Sequence, residues 1–104
     1  PAFAQAARTP ELEAAVQAVQ RATQADADQY APAELAVARQ WLAQAQAAHA
    51  AREKKAALDL ALRAAVDADL ARARSQEAVA TAEVAQRKAE IADLQAQIGA
   101  EGRR

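Results

Sequence analysis

An all-α fold is what this sequence predicts: two short helices packed on the first half of one long C-terminal helix, with alanine-rich, coiled-coil-like contacts. Three observations predict it. About a third of the 104 residues are alanine, and Gln, Arg, Glu and Asp fill most of the rest. Ala, Leu, Gln, Glu and Arg are strong helix formers, by up to ~0.7 kcal/mol per residue over ordinary alternatives. The second observation is a row of small residues: Ala57, Ala61, Ala64, Ala68, Ala71, Ser75, Ala78, Ala82, Ala85, Ala89, Ala92 and Ala96. Its steps alternate four and three without a miss, an average of about 3.5 residues, so these side chains form one nearly straight seam on a helix. Methyl-sized side chains on that seam let a neighbouring helix come close. The third observation is a pair of proline-marked helix starts ahead of the row, at Thr9-Pro10-Glu11 and Tyr30-Ala31-Pro32.

Residues 1–8 show no periodicity and read as a flexible lead. Thr9 is suited to cap a helix, Pro10 to its first turn, and Glu11 and Glu13 to the positive end of its dipole. Leu12, Val16, Val19 and Ala22/Thr23 then share a stripe, which gives a first helix over 10–25. Asp26-Ala27-Asp28-Gln29 is a polar break. Proline pushes Ala31 out of helical geometry and is tolerated in a first turn, so a second helix starts at Pro32 and runs to about residue 51. Leu35, Ala38, Leu42 and Ala45 form its inner stripe, with Trp41 beside it. A turn is expected near 51–54, because the stripe of the second helix and the alanine seam are out of phase there. The third helix spans 54–98, with Gly99 and Gly102 as its stop and 99–104 as a tail.

The long helix has two unlike halves. Up to Leu70 it carries a second ridge, Leu58, Leu62, Val66 and Leu70, and it is expected to bury both sides against the two shorter helices. Beyond Ser75 the chain runs out of partners. Apolar residues nevertheless continue there: the alanine seam on one side and Val84, Ile91, Leu94 and Ile98 almost opposite. Val84, Ile91 and Ile98 are spaced by heptads, Leu94 completes a short a/d pattern, and Arg87 interrupts it at a d position. A projecting half-helix with apolar faces is best satisfied by another copy of itself. Pairs such as Asp59–Arg63, Arg63–Asp67 and Glu83–Arg87 are placed to support the solvated sides by ~0.3 kcal/mol each.

Composition narrows the function classes. A methyl-lined core gains little at roughly 25 cal/mol per Å² of buried apolar area, so a domain of this size needs self-association or an outside partner. The net charge of −1 argues against a nucleic-acid partner, and no apolar run approaches the ~20 residues of a transmembrane segment. The absence of cysteine excludes disulfides and thiolate metal sites. Ala2-Phe3-Ala4 followed by Gln5 has the small-x-small form of a signal-peptidase site, which points to export.

Tyr30-Ala31-Pro32 with Glu34-Leu35 and Ala38, followed by Ala57, Leu60-Ala61, Ala64, Asp67-Ala68 and Ala71, resembles the alanine-rich bacterial envelope family filed as domain of unknown function 4398. The resemblance covers roughly residues 12–95 and implies a helical module in the periplasm, with no catalytic residues to transfer. Lys54 stands where the family often has an aromatic residue. The sequence shows neither a lipobox cysteine nor a peptidoglycan-binding domain, so lipid anchoring and peptidoglycan binding are not carried over.

No residue set for catalysis, cofactor or metal stands out. His49 has only Glu53 at ligand spacing and reads as a helix-end histidine. Asp26, Asp28 and Glu34 lack the spacing and glycine of a calcium loop; Arg52, Lys54 and Lys55, with Glu53 among them, are too few for a phosphate patch. Ser75 is expected to bond back to its own helix backbone. The expected self-association residues are Val84, Ile91, Leu94, Ile98, Ala78, Ala82, Ala85, Ala89 and Ala92. Tyr30 and Trp41 are candidate partner contacts, although lone aromatics of this kind more often fill gaps in a bundle. The function these features point to is a non-enzymatic structural or interaction module of the bacterial envelope, a homo-oligomer with an envelope protein as a further candidate partner. The alternative is a peptide-binding adaptor, a tetratricopeptide-like hairpin around Tyr30 and Trp41.

Overall fold

The computed structural model describes residues 8–103. Four helices follow one another, α1 (Pro10–Gln24), α2 (Ala27–Tyr30), α3 (Pro32–Ala50) and α4 (Lys54–Gly102), and no strand occurs among the described residues. The capping expectation for α1 holds: Thr9 has extended backbone geometry and its Oγ1 accepts the Leu12 N–H at 3.2 Å. Of the expected lead, only Arg8 lies within the described residues, and its guanidinium bonds Glu13 at 3.0 Å.

The break after α1 is shorter than the polar run implies. Asp26 takes a left-handed conformation (φ 63°), which reverses the chain in one residue and is tolerated by a short polar side chain. Its carbonyl then accepts the N–H groups of Gln29 and Tyr30, so residues 27–30 close into a single helical turn instead of a coil. Ala31 leaves helical geometry ahead of Pro32 and is itself buried.

α3 ends in a second left-handed residue, Arg52 (φ 62°). The Glu53 N–H bonds Ala48 O at 2.9 Å and the Arg52 N–H bonds His49 O at 3.0 Å, the paired reach-back of a Schellman ending, where glycine is the usual occupant. Here the phase change read from the sequence becomes a break between helices. Arg52→Gly is expected to raise the unfolding free energy by about 0.5–1 kcal/mol, since a Cβ is strained at this φ. The change reads out as a higher urea midpoint at unchanged slope, and a lower midpoint would show that the arginine stem contributes more than the strain costs.

α4 is 49 residues long, about 73 Å at 1.5 Å per residue, and the molecule measures 81 × 24 × 16 Å. α1 and α3 both lie against it and touch each other less. Their contact surface is the first half of the alanine seam: Ala57, Ala61, Ala64, Ala68, Ala71 and Ser75 are all buried. One core group joins Ala18, Val19 and Ala22 of α1 with Leu35 and Ala38 of α3 over Ala68 and Ala71. The other joins Leu12, Ala15 and Ala45 over Ala61 and Ala64, flanked by Trp41, Leu42 and Leu60.

Four expectations need correction. The ridge Leu58, Leu62, Val66 and Leu70 is exposed, not buried. Both short helices use the seam, where methyl groups let them approach most closely, and neither reaches round to the ridge. Gly99 and Gly102 do not stop α4, which runs one turn past Ile98. Neither glycine takes a positive φ, and without that a glycine costs only about 1 kcal/mol inside a helix. The pairs Asp59–Arg63, Arg63–Asp67 and Glu83–Arg87 are not closed; the ion pairs among the described residues are Arg8–Glu13 and Arg74–Glu34. Arg63 instead lies over the Trp41 ring, 5.3 Å from its centre. Finally, the Ser75 hydroxyl donates to the carbonyl of Ala25 at the end of α1, not to its own helix.

Candidate functional site

Two sets of contacts fasten the point where α4 leaves its companions. Ser75, wholly buried, holds the α1 C-terminus, and the Arg74 Nη1–Glu34 Oε2 pair at 3.1 Å ties α4 to the first turn of α3. Past this clasp the helix stands alone. Ala78 and Val79 are half-buried at its foot, and every residue from Ala80 to Arg103 is exposed. The projecting segment is about 40 Å long at 1.5 Å per residue.

Val84, Ile91, Leu94 and Ile98 stand on this segment at 53–69 % exposure, spaced along one face of an unbroken helix. On the opposite face Ala82, Ala85, Ala89 and Ala92 continue the seam in the open, beyond the footprint of α1 and α3. Beside the clasp an open groove is lined by Arg74, Glu77, Ala78, Thr81, Ala82 and Ala85.

From the sequence the ridge and the outer apolar residues read as separate features. On the folded helix they are one stripe. Starting at Val66 it passes Leu70, Ala73, Glu77, Ala80, Val84, Arg87, Ile91 and Leu94 to Ile98, all exposed. Its steps alternate four and three like those of the alanine seam, on nearly the opposite side of the helix. Only Glu77 and Arg87 interrupt it. The spacing carries this signal, and the packing of α1 and α3 on the seam is what leaves the ridge bare.

The two aromatic candidates are separated. Tyr30 ends α2 and is exposed. Trp41 is half-buried against the second core group and borders an open groove of about 350 Å³ with Leu62, Arg63, Val66 and Asp67, which Tyr30 does not line. His49 lies in the last turn of α3 with its Nε2 buried and without a hydrogen-bond partner. Among the described residues no three His, Cys, Asp or Glu side chains are grouped to hold a metal ion, and no helix is long and apolar enough to cross a membrane.

The family described as Domain of unknown function (DUF4398) matches residues 10–87. These residues include α1, α2, α3, the braced half of α4 and the first part of its projection; Ile91, Leu94 and Ile98 lie beyond them. No curated protein and no solved structure matches the chain.

Proposed function

The chain belongs to the family described as Domain of unknown function (DUF4398), and from its geometry we propose a non-enzymatic structural module of the bacterial cell envelope that self-assembles through α4. One observation carries this reading: a helix braced by its own chain for half its length projects for the other half with four large aliphatic side chains in water. Bare aliphatic residues on a rigid rod are satisfied by a second rod, at ~1.5–3 kcal/mol for each side chain fully buried. The braced half keeps the projection straight and fixes where it points, which is how such a head could space or align its partners. Periplasmic placement rests on the resemblance of the alanine spacing and Tyr30-Ala31-Pro32 to alanine-rich envelope domains.

The test is solution mass across a dilution series. Light scattering is expected to give a multiple of the 10.9 kDa monomer at high concentration, falling toward the monomer on dilution; monomer throughout would overturn the reading. The open groove beside Trp41 favours a second reading, an adaptor that captures a peptide there. On that reading Trp41→Ala removes peptide capture and leaves the mass unchanged, whereas on the first reading it has no such effect.

A further inference from the structure

We propose that the occupant of the exposed α4 stripe is the same stripe of a second copy, running antiparallel, in the register where Glu77 of each copy meets Arg87 of the other. This rests on the self-association reading and names its partner, orientation and register. The stripe is free along its whole length, because α1 and α3 pack on the other side of α4. Its alternating spacing makes it an a/d seam: Leu70, Glu77, Val84, Ile91 and Ile98 at a, and Val66, Ala73, Ala80, Arg87 and Leu94 at d. In an antiparallel pair each a residue faces a d residue of the partner.

The charges choose the register. Glu77 and Arg87 interrupt the stripe between Val66 and Ile98, and each would be costly if desolvated without a partner. Placing Glu77 opposite the partner copy's Arg87 joins them, twice by symmetry. The same register sets Leu70 against Leu94 and Val66 against Ile98. It also sets the small residues against branched ones, Ala80 with Val84 and Ala73 with Ile91, so each layer combines complementary volumes. One heptad further out, Arg63 falls opposite the partner copy's Glu101, again opposite charges. A shift of one heptad either way leaves Glu77 and Arg87 facing apolar side chains. A parallel, in-register pair sets Glu77 on Glu77 and Arg87 on Arg87, like charges in the seam. At the rim Glu83 comes near its own copy and Arg74 near the partner copy's Lys88, but in water, where such contacts cost little.

The pairing also settles the groove beside Trp41. The partner's Ile98 comes to Val66 there, and its Glu101 comes to Arg63, both lining residues of that groove. Each projecting half thus lies along the braced half of the other copy, over about 55 Å of helix.

Two measurements test this on the full chain. The protein has no cysteine, so Gln97→Cys, an exposed site off the stripe, takes a single spin label. The proposed register expects a label-to-label distance of about 45 Å, an antiparallel pair shifted by one heptad about 35 or 55 Å, and a parallel pair less than about 20 Å. Glu77→Arg alone and Arg87→Glu alone are each expected to weaken dimerisation about 100-fold or more, and the double reversal to restore it. A distance of about 35 or 55 Å, or below about 20 Å, or single reversals without effect, overturns the antiparallel register while self-association stands. So does an assembly other than a dimer. A wild-type protein that stays monomeric overturns both.

Discussion

Ile91→Asp combined with Ile98→Asp leaves the protein monomeric in light scattering at concentrations where the wild type is associated, while the four-helix head keeps its helicity and the thermal midpoint of wild type diluted to the monomer. The expected size of the effect follows from symmetry. Each substitution appears twice in a dimer, so four apolar contacts are lost, at ~1.5 kcal/mol or more apiece. That is at least ~6 kcal/mol, or about four powers of ten in dissociation constant, before the cost of desolvating the carboxylates is added. Neither isoleucine touches α1, α2 or α3 of its own copy; both stand exposed on the projection, so the head responds only through loss of the partner copy. A double variant of native mass would show that association, if it occurs, does not use this face. A variant that lost its head helicity would show that the projection is coupled to the core in a way its exposure does not reveal.

The second large effect separates the two halves of the alanine seam. Ala68→Leu is expected to destabilise the head by about 3 kcal/mol, the upper part of the usual range for overpacking a tight core. Ala68 is fully buried between α1 and α3, under Ala18, Val19, Ala22, Leu35 and Ala38. Most of the side chains in that core group are alanine methyls. A leucine needs three more carbons there, so both short helices must move off α4 together. For a domain of this size ~3 kcal/mol lowers the melting midpoint by roughly 12–24 °C. Ala89→Leu, on the same seam but past the footprint, is expected to change the midpoint by less than about 2 °C, and to leave the solution mass unaltered. Equal effects at the two sites would refute the division of α4 into a braced and a bare half. A change of mass at Ala89 would place the self-association contact on the alanine face instead of the aliphatic stripe.

Much of the architecture was legible because its signals are local. Helix formers throughout, proline at Pro10 and Pro32, and the four-three alternation of alanine require only neighbours along the chain, and they carried the helix order and the projecting C-terminal half. The family resemblance was legible in the same way, from Tyr30-Ala31-Pro32 and the alanine spacing. The left-handed residues were harder. Asp26 and Arg52 are not glycines, so the polar run and the phase change locate the two breaks while no residue type marks the left-handed position within them.

The amino-acid order by itself determined that this protein is helical, that one helix outruns the others, and where the methyl-lined contact surface lies, because backbone propensity and side-chain periodicity act over a few residues. Which face the short helices choose was decided only in three dimensions. Leu58, Leu62, Val66 and Leu70 are more hydrophobic than the alanines, yet they remain in water. Close approach over methyl groups lets two helices share one side of α4, with Ser75 and Arg74 holding the ends of α1 and α3 to it. That choice left Val66 and Leu70 free to join the outer residues in a single stripe; the spacing offers that stripe, but only the packing of distant segments leaves it bare.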